Sequence, residues 1–421
     1  MRWLLNRDNL GRSTHMKIQI ACAVALCAFL TGCVGDVFEA TPDSGDPTND
    51  SGKPDSQDGA VEAAQDSAPD VVADTATPDA QDAATDAVAD VDAAPVPTCD
   101  AGVACGNVCV DTTADDKNCG ACGHDCNGGG CLASLCLPIT LASNQGHPYG
   151  IAVDTTSVYW TTQSGGTVAK VALGGGNPTI LATGQSAPQS IAIDGTSVYW
   201  ASFGNGTVQK VPLGGGSATT LATAQNGVWG LAVDATSAYW TTYNGGKAVK
   251  KCATGGCSNT PTVLASGLDS YGIAVDATNA YWTNYSGSVQ KCAIGGCGAN
   301  PTTIVPQQPP YYFQWIAVDA TSVYWTNNSG DVQKCAIGGC NGTPTVLATT
   351  TQAFGIATDG VNVYWVAGGV NGKVLKCAVG GCGGNPTILA FNQNDPYMIA
   401  VDSKNVYWTN FGGGQVTRVA K

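Results

Sequence analysis

From residue 138 to the end, the chain is written in short runs that alternate apolar and polar residues, and the runs come in recurring sets of four. In the first set they cover residues 151–153, 158–161, 167–171 and 179–182. Asp154-Thr155-Thr156, Gly165-Gly166 and the Gly174-to-Pro178 stretch separate them; Asn205-Gly206, Asn244-Gly245 and Asn371-Gly372 hold the second turn in other sets. Period-two alternation punctuated by Gly, Asn and Pro predicts strands joined by tight hairpins. Each set opens on one phrase, close to I-A-V-D followed by Y-W-T. Its aspartates are Asp154, Asp194, Asp234, Asp276, Asp319, Asp359 and Asp402, spaced 40, 40, 42, 43, 40 and 43 residues apart. A period near forty with four strands per unit predicts the blades of a β-propeller.

Seven units are present, but the last stops after its third strand, at residues 416–421. Pro138-Ile139-Thr140-Leu141-Ala142 matches the fourth strands at Pro178-Thr179-Ile180-Leu181-Ala182 and Pro386-Thr387-Ile388-Leu389-Ala390. The N-terminal segment is therefore expected to complete blade 7, which removes the exposed sheet edges of an open circle. The fold class is all-β: a seven-bladed propeller over residues 138–421, preceded by a small disulfide-rich module (99–137) and a disordered acidic tether.

The repeated phrase resembles the YWTD-type propeller repeats of the lipoprotein-receptor family and, more loosely, NHL-type repeats. The likeness covers residues 138–421 and departs in two respects. The residue after Y-W-T is Thr, Asn or Ser in most units rather than Asp, and there are seven units where that family has six. The family's network of aspartates between blades is therefore not carried over.

Trp160, Trp200, Trp240, Trp282, Trp325, Trp365 and Trp408 recur once per blade and are expected to pack between blades. The seven aspartates are expected to hold the turn between strands one and two. Strand three carries one cation per blade: Lys170, Lys210, Lys250, Lys291, Lys334, Lys376 and Arg418. These fall near the same rim as the aspartates, so ion pairs are expected there, worth about 0–1 kcal/mol each when exposed. Cys252/Cys257, Cys292/Cys297, Cys335/Cys340 and Cys377/Cys382 lie in C-A-x-G-G-C turns between strands three and four. Blades 1 and 2 replace both members together, by Val171 and Gly176 and by Val211 and Gly216, as expected of a pair bonded within one hairpin.

Composition divides the remainder. Met16-Lys17 followed by an apolar stretch and Leu30-Thr31-Gly32-Cys33 resembles a bacterial lipoprotein signal peptide with its lipobox. That resemblance implies cleavage after residue 32 and lipidation of Cys33, with Met16 as good a start as Met1. The apolar run, about 13 residues, is too short to span a bilayer. Val34 follows Cys33 where an aspartate would favour inner-membrane retention, so the expected location is the outer membrane, cell surface or periplasmic face. Residues 34–98 hold 16 of the 32 acidic side chains, one base and one aromatic residue, which predicts an extended solvated tether.

Residues 99–136 read C-x5-C-x3-C-x9-C-x2-C-x3-C-x4-C-x4-C. Asn118-Cys119-Gly120-Ala121-Cys122-Gly123-His124-Asp125-Cys126 resembles the core of stigma-specific-protein-like cysteine-rich modules, which are small, extracellular and disulfide-stapled. Zinc bound by Cys119, Cys122 and His124 is the rival reading. Even cysteine counts in an exported chain favour four disulfides, among 105 possible pairings.

Strand alternation sorts the loops onto two faces. The 2–3 turns and the blade-to-blade links share one, and there the aromatic residues gather. Tyr149, Gln189, Trp229, Tyr271, Gln314, Phe354 and Tyr397 stand two residues before each first strand and are expected to encircle the central mouth. Gln163, Phe203, Tyr243, Tyr285, Asn328, Gly368 and Phe411 stand slightly further out, and the longest link adds Tyr311, Tyr312, Phe313 and Trp315, with Asp269 and Asp395 nearby. Such a face suits a carbohydrate or an extended peptide; the alternative is that these rings simply fill the narrowing funnel.

The propeller has 12 Lys/Arg, 10 Asp, no Glu and one histidine, His147. No basic patch points to nucleic acid. The propeller sequence carries no cofactor or metal motif: its Gly-rich turns lie between strands rather than before helices. The repeats are somewhat similar to those of virginiamycin B lyase, a seven-bladed propeller whose chemistry relies on His and Glu, and this chain offers no such pair. General acid–base work needs a tuned donor and acceptor in one pocket, so an enzyme is not expected. The expected function is an envelope-anchored binding protein; an envelope assembly protein making protein contacts is the alternative, and a lyase a weaker one.

Overall fold

The computed structural model describes residues 98–421 with the exception of residue 244 and residues 309–311. The export signal, Cys33 and the tether through residue 97 lie outside the described residues, as does Tyr311.

Seven four-stranded antiparallel sheets form the propeller. Blade 1 comprises Pro148–Val153, Ser157–Thr162, Thr167–Ala172 and Thr179–Ala182, from the centre outward. Blade 7 takes Pro396–Val401, Asn405–Asn410 and Gln415–Ala420 from the C-terminal end of the chain and Ile139–Ala142 from the start of the propeller. The closing register is Arg418 against Ile139 and Val416 against Ala142. The ring therefore closes as the sequence indicates.

Each inner strand begins three residues earlier than the alternation suggests. A β-bulge explains why: Pro148 pairs with Thr162 and Ile151 with Trp160, so four residues face three, and the same shift recurs in all seven blades. Tyr149 and its equivalents thus lie inside the inner strand rather than ahead of it. The bulge leaves main-chain groups without ladder partners, and the threonine of Y-W-T meets them. Thr161 Oγ1 accepts from Gly150 N (3.0 Å) and donates to the Gln189 carbonyl of blade 2 (2.6 Å). Thr241, Thr283, Thr326 and Thr409 make the same two contacts in their blades, all fully buried. Glycine is required at residue 150, where a Cβ would come within 2.3 Å of the Gln189 carbonyl oxygen. Blades 2 and 6 carry Ala201 and Val366 instead and lack the bolt.

All seven repeated tryptophans are fully buried, each facing the preceding blade. The aspartates hold their turns as expected: Asp154 Oδ1 accepts from the main chain of Thr156 and Ser157 at 2.7 Å. Their second oxygen does more. Asp154 Oδ2 accepts from the hydroxyl of Tyr159 at 2.8 Å, and the pairing recurs in every blade at 2.6–2.9 Å. Burial works against the charge on Asp194, but the hydrogen bonds from Tyr199, Thr196 and Ser197 hold its carboxyl below the usual range. Burial, then the neighbouring carboxylate, pushes the Tyr159 hydroxyl up to about 12.

The strand-three cations do not pair with these aspartates. Lys170, Lys291 and Lys334 each reach across the seam to a main-chain oxygen of the next blade, at Leu213, Ile337 and Val379, 2.6–2.7 Å away. In blade 3 the register places Lys251, not Lys250, opposite Tyr239, and Lys251 donates to the Ile294 carbonyl. Uncapped turn carbonyls lie nearer than the carboxylates, whose oxygens are already occupied. Among the described residues, the repeated aspartates form one ion pair, Asp359 with Lys421 at 2.6 Å.

The four hairpin disulfides form as spaced: Cys252–Cys257, Cys292–Cys297, Cys335–Cys340 and Cys377–Cys382. They also sit at seams, with Cys297 Sγ 3.4 Å from the Leu264 carbonyl oxygen of the preceding blade. The cysteine-rich module pairs Cys99–Cys109, Cys105–Cys122, Cys119–Cys131 and Cys126–Cys136. Cys119 and Cys122 are thus in separate disulfides and His124 Nδ1 faces the Cys119 carbonyl, so the zinc set is not formed. The module takes the place of the missing 3–4 turn of blade 7. Cys119, Cys126 and Cys136 pack in one core with Leu389 and Val419, and Arg418 donates to the Asn127 carbonyl at 3.0 Å.

Candidate functional site

The expected aromatic face exists, but it divides into a plug and an arc. Tyr149 and Trp315 are buried, 4% and 6% exposed, and Phe313 is fully buried against Trp325. The Tyr149 and Tyr397 rings lie 4.4 Å apart with their hydroxyl oxygens at 2.8 Å, and Phe354 stacks on Tyr397 at 4.9 Å. Tyr271, half-buried, has its hydroxyl pushed well up by burial and then by Tyr397, which stands on blade 7, three blades away around the ring. Rings from blades 1, 4 and 7 therefore meet across the middle. For Tyr149, Phe354, Tyr397 and Trp315, the funnel-filling alternative describes much of what they do.

The arc lies over blades 2 to 5. Its order is Phe203, Trp229, Tyr243, Tyr285 and Tyr312. Successive ring centroids are 5.4, 6.0, 5.2 and 4.3 Å apart, and Tyr271 lies behind Trp229 at 4.8 Å. Both ends reach solvent: Phe203 is 39% exposed and Tyr312 42%. Tyr243 and Tyr285 are each held by a local hydrogen bond. Tyr243 N donates to the Gly227 carbonyl (2.7 Å), where φ of +68° makes glycine the fitting residue. Tyr285 N donates to the Asp269 carbonyl (2.8 Å), and the Asp269 carboxylate pairs with Lys247 at 3.2 Å beside the rings. Burial, then Tyr285 and Asp269, pushes the Tyr243 hydroxyl up. Asp395, by contrast, serves the backbone, accepting from Gly369 N at 3.2 Å.

Phe411 belongs to the other side of the funnel. It stacks with His147 at 4.7 Å and stands edge-on to Tyr149 at 6.1 Å. The rings meet edge to face at Trp229 (87° to Phe203, 65° to Tyr243), tilt by 58° between Tyr243 and Tyr285, and stack at 16° between Tyr285 and Tyr312, so the arc offers ring edges and partly covered faces, with a cation, a carboxylate and phenol hydroxyls beside them.

A set of glutamines escaped the sequence reading. Gln145, Gln185, Gln225 and Gln393 each lie 15 residues before a repeated tryptophan and accept from its indole Nε1 at 2.9–3.3 Å. Their signal is the fixed offset from Y-W, visible in four of the seven units.

No protein-family model and no curated protein sequence matches the chain. Similarity to solved structures is confined to the fold. Virginiamycin B lyase from Staphylococcus aureus aligns at 14% identity with a TM-score of 0.57, over 68% of this chain and 98% of that one. A streptogramin B lyase aligns at 12% identity and the same TM-score, over 67% and 96%. The WD40 propeller domain of Doa1 aligns at 14% identity and 0.54, over 68% and 97%. The chain is a seven-bladed β-propeller with a disulfide-rich region ahead of it.

Proposed function

We propose that this is an exported binding protein, lipid-anchored through Cys33, whose propeller captures a carbohydrate or an extended peptide on the aromatic arc of blades 2 to 5. The observation that carries this reading is the run of five rings with both ends open to solvent, beside the Lys247–Asp269 pair. A sugar offers apolar C–H faces to such rings and hydroxyls to the flanking charges; an extended peptide offers side chains and amides. Tyr271 joins the arc to the plug, 4.8 Å from Trp229 and 5.8 Å from Trp315. No catalytic step is placed on this face, since the propeller sequence holds no glutamate and its one histidine is stacked on Phe411.

The test is a binding screen of the mature protein against glycan and peptide arrays, with Tyr243→Ala/Tyr285→Ala as the matched variant. Capture that the variant loses, at unchanged thermal stability, supports the reading. Equal capture by both proteins overturns the arc as the site.

A further inference from the structure

The ring closes where Gln415–Ala420 meets Ile139–Ala142, and strand pairing, not a covalent bond, joins the two ends of the propeller there. The hairpin disulfides lie elsewhere, each spanning five residues within one blade. Tyr149, on the inner strand of blade 1, and Tyr397, on the inner strand of blade 7, stand 248 residues apart in sequence and side by side in space. Their ring centroids are 4.4 Å apart and tilted by 46°, with the hydroxyl oxygens at 2.8 Å. Phe354 stacks on Tyr397 at 28° and Phe411 stands at 81° to Tyr149, so neighbouring rings hold the pair from both sides. Tyr149 is buried and Tyr397 half-buried, which keeps the ring of a second molecule away from the pair.

Two phenols so placed are arranged for oxidative coupling. A tyrosyl radical carries spin on the ring carbons next to its hydroxyl, and the hydroxyl ends of these two rings adjoin. Holding the reacting groups in contact removes the entropy cost of bringing them together. Every described cysteine is already in a disulfide, so no thiol among the described residues competes for an oxidant. Contacting rings also lead inward from solvent: Tyr312, 42% exposed, stacks on Tyr285, and Tyr285 lies 6.4 Å from Tyr271 at the middle of the funnel.

We propose that Tyr149 and Tyr397 are a modification site, at which hydrogen peroxide acting through a one-electron oxidant forms a dityrosine that locks the ring shut. Each phenol gives up one electron to the oxidant and its hydroxyl proton to solvent. The two radicals join through the carbons beside their hydroxyls. The hydrogen on each joined carbon then moves to the oxygen and restores the phenol. In sum, two tyrosines yield one dityrosine, two protons and two electrons, and one hydrogen peroxide takes these up as two waters. The bond closes a loop of 248 residues where a hairpin disulfide closes one of five, and the entropy removed from the unfolded chain grows with that length. The site serves the integrity of the ring and does not depend on any ligand of the arc.

The experiment treats the mature protein with hydrogen peroxide and a haem peroxidase, then reads dityrosine fluorescence and the masses of proteolytic peptides. Tyr397→Phe, which keeps the ring and removes the hydroxyl, is the matched variant; should it not fold, Tyr149→Phe replaces it. The expected product is a peptide pair joined through residues 149 and 397, two hydrogens lighter than the sum of its parts, in monomeric protein. The variant is expected to lack that pair. Oxidised parent is expected to unfold at a higher denaturant concentration than untreated parent, and identically treated variant is expected to show no such rise. Oxidation that leaves the two peptides unjoined, and instead converts Met398 to its sulfoxide, links Tyr285 to Tyr312 or joins separate molecules, overturns the proposal. A 149–397 bond that leaves the unfolding midpoint where it was overturns the lock.

Discussion

Thr409, the last threonine of the last Y-W-T, donates its hydroxyl to the carbonyl oxygen of Tyr149 at 2.8 Å, across the seam where the ring closes. The same hydroxyl accepts from Met398 N at 3.1 Å, so one side chain joins the bulge of blade 7 to the inner strand of blade 1. Replacing it by an isosteric apolar residue leaves a buried donor and a buried acceptor unpaired. Thr409→Val is expected to destabilise the propeller by about 1–3 kcal/mol. Thermal unfolding checks this, with Thr345→Val, on the exposed outer strand of blade 5, as a near-neutral comparison.

The Asp–Tyr pairs make stability depend on pH in a defined direction. Asp154, Asp194, Asp234, Asp276, Asp319 and Asp359 have carboxyls held below the usual range in the folded protein. Their contribution is present above the unfolded pKa, about 4, and is lost as pH falls through the folded values. Tyr159 is raised to about 12, so its contribution is present below about 10 and is lost as pH rises towards 12. Denaturant midpoints measured across pH should fall at both ends, and Asp194→Asn should flatten the acid limb.

Removal of one hairpin disulfide is expected to cost about 2 kcal/mol in the chain-entropy model, with an added loss of packing against the preceding blade. Cys292→Ala/Cys297→Ala, in which Cys297 Sγ meets the Leu264 carbonyl, tests it by denaturant unfolding under non-reducing conditions.

Docking of the cysteine-rich module combines the core that Cys119, Cys126 and Cys136 share with blades 6 and 7 with a few polar contacts. His124 Nε2 lies 2.8 Å from the main-chain oxygen of Lys421, and Arg418 donates to both Asn127 O and Asn405 Oδ1. Arg418→Ala is expected to loosen the module from blade 7 while leaving its own disulfides intact. Faster proteolysis between residues 136 and 139, at unchanged disulfide content, is the expected result.

What the sequence made legible follows from its periods. Strands, blade count, closure by residues 139–142 and the hairpin disulfides all depend on contacts within one hairpin or on a repeat of fixed length, and both leave a pattern. The threonine bolts, the lysines reaching the next blade and the glutamines under the tryptophans are contacts across seams or between a loop and a strand. No alternation encodes the angle between blades, so Thr161 reads as one more strand residue until Gln189 is placed beside it. The aromatic face was legible as a collection of rings. Its division into plug and arc was not, because the bulge that turns Tyr149 and Tyr397 into the centre shifts the register by one residue.

The most direct measurement is a calorimetric titration of the mature protein with the glycan or peptide that it captures most strongly from an array, beside Tyr285→Ala, which removes the ring stacked on Tyr312 at 4.3 Å. The account predicts at least a tenfold loss of affinity in Tyr285→Ala, at a melting temperature near that of the parent. Unchanged affinity in Tyr285→Ala would contradict it and return these rings to the packing of the funnel.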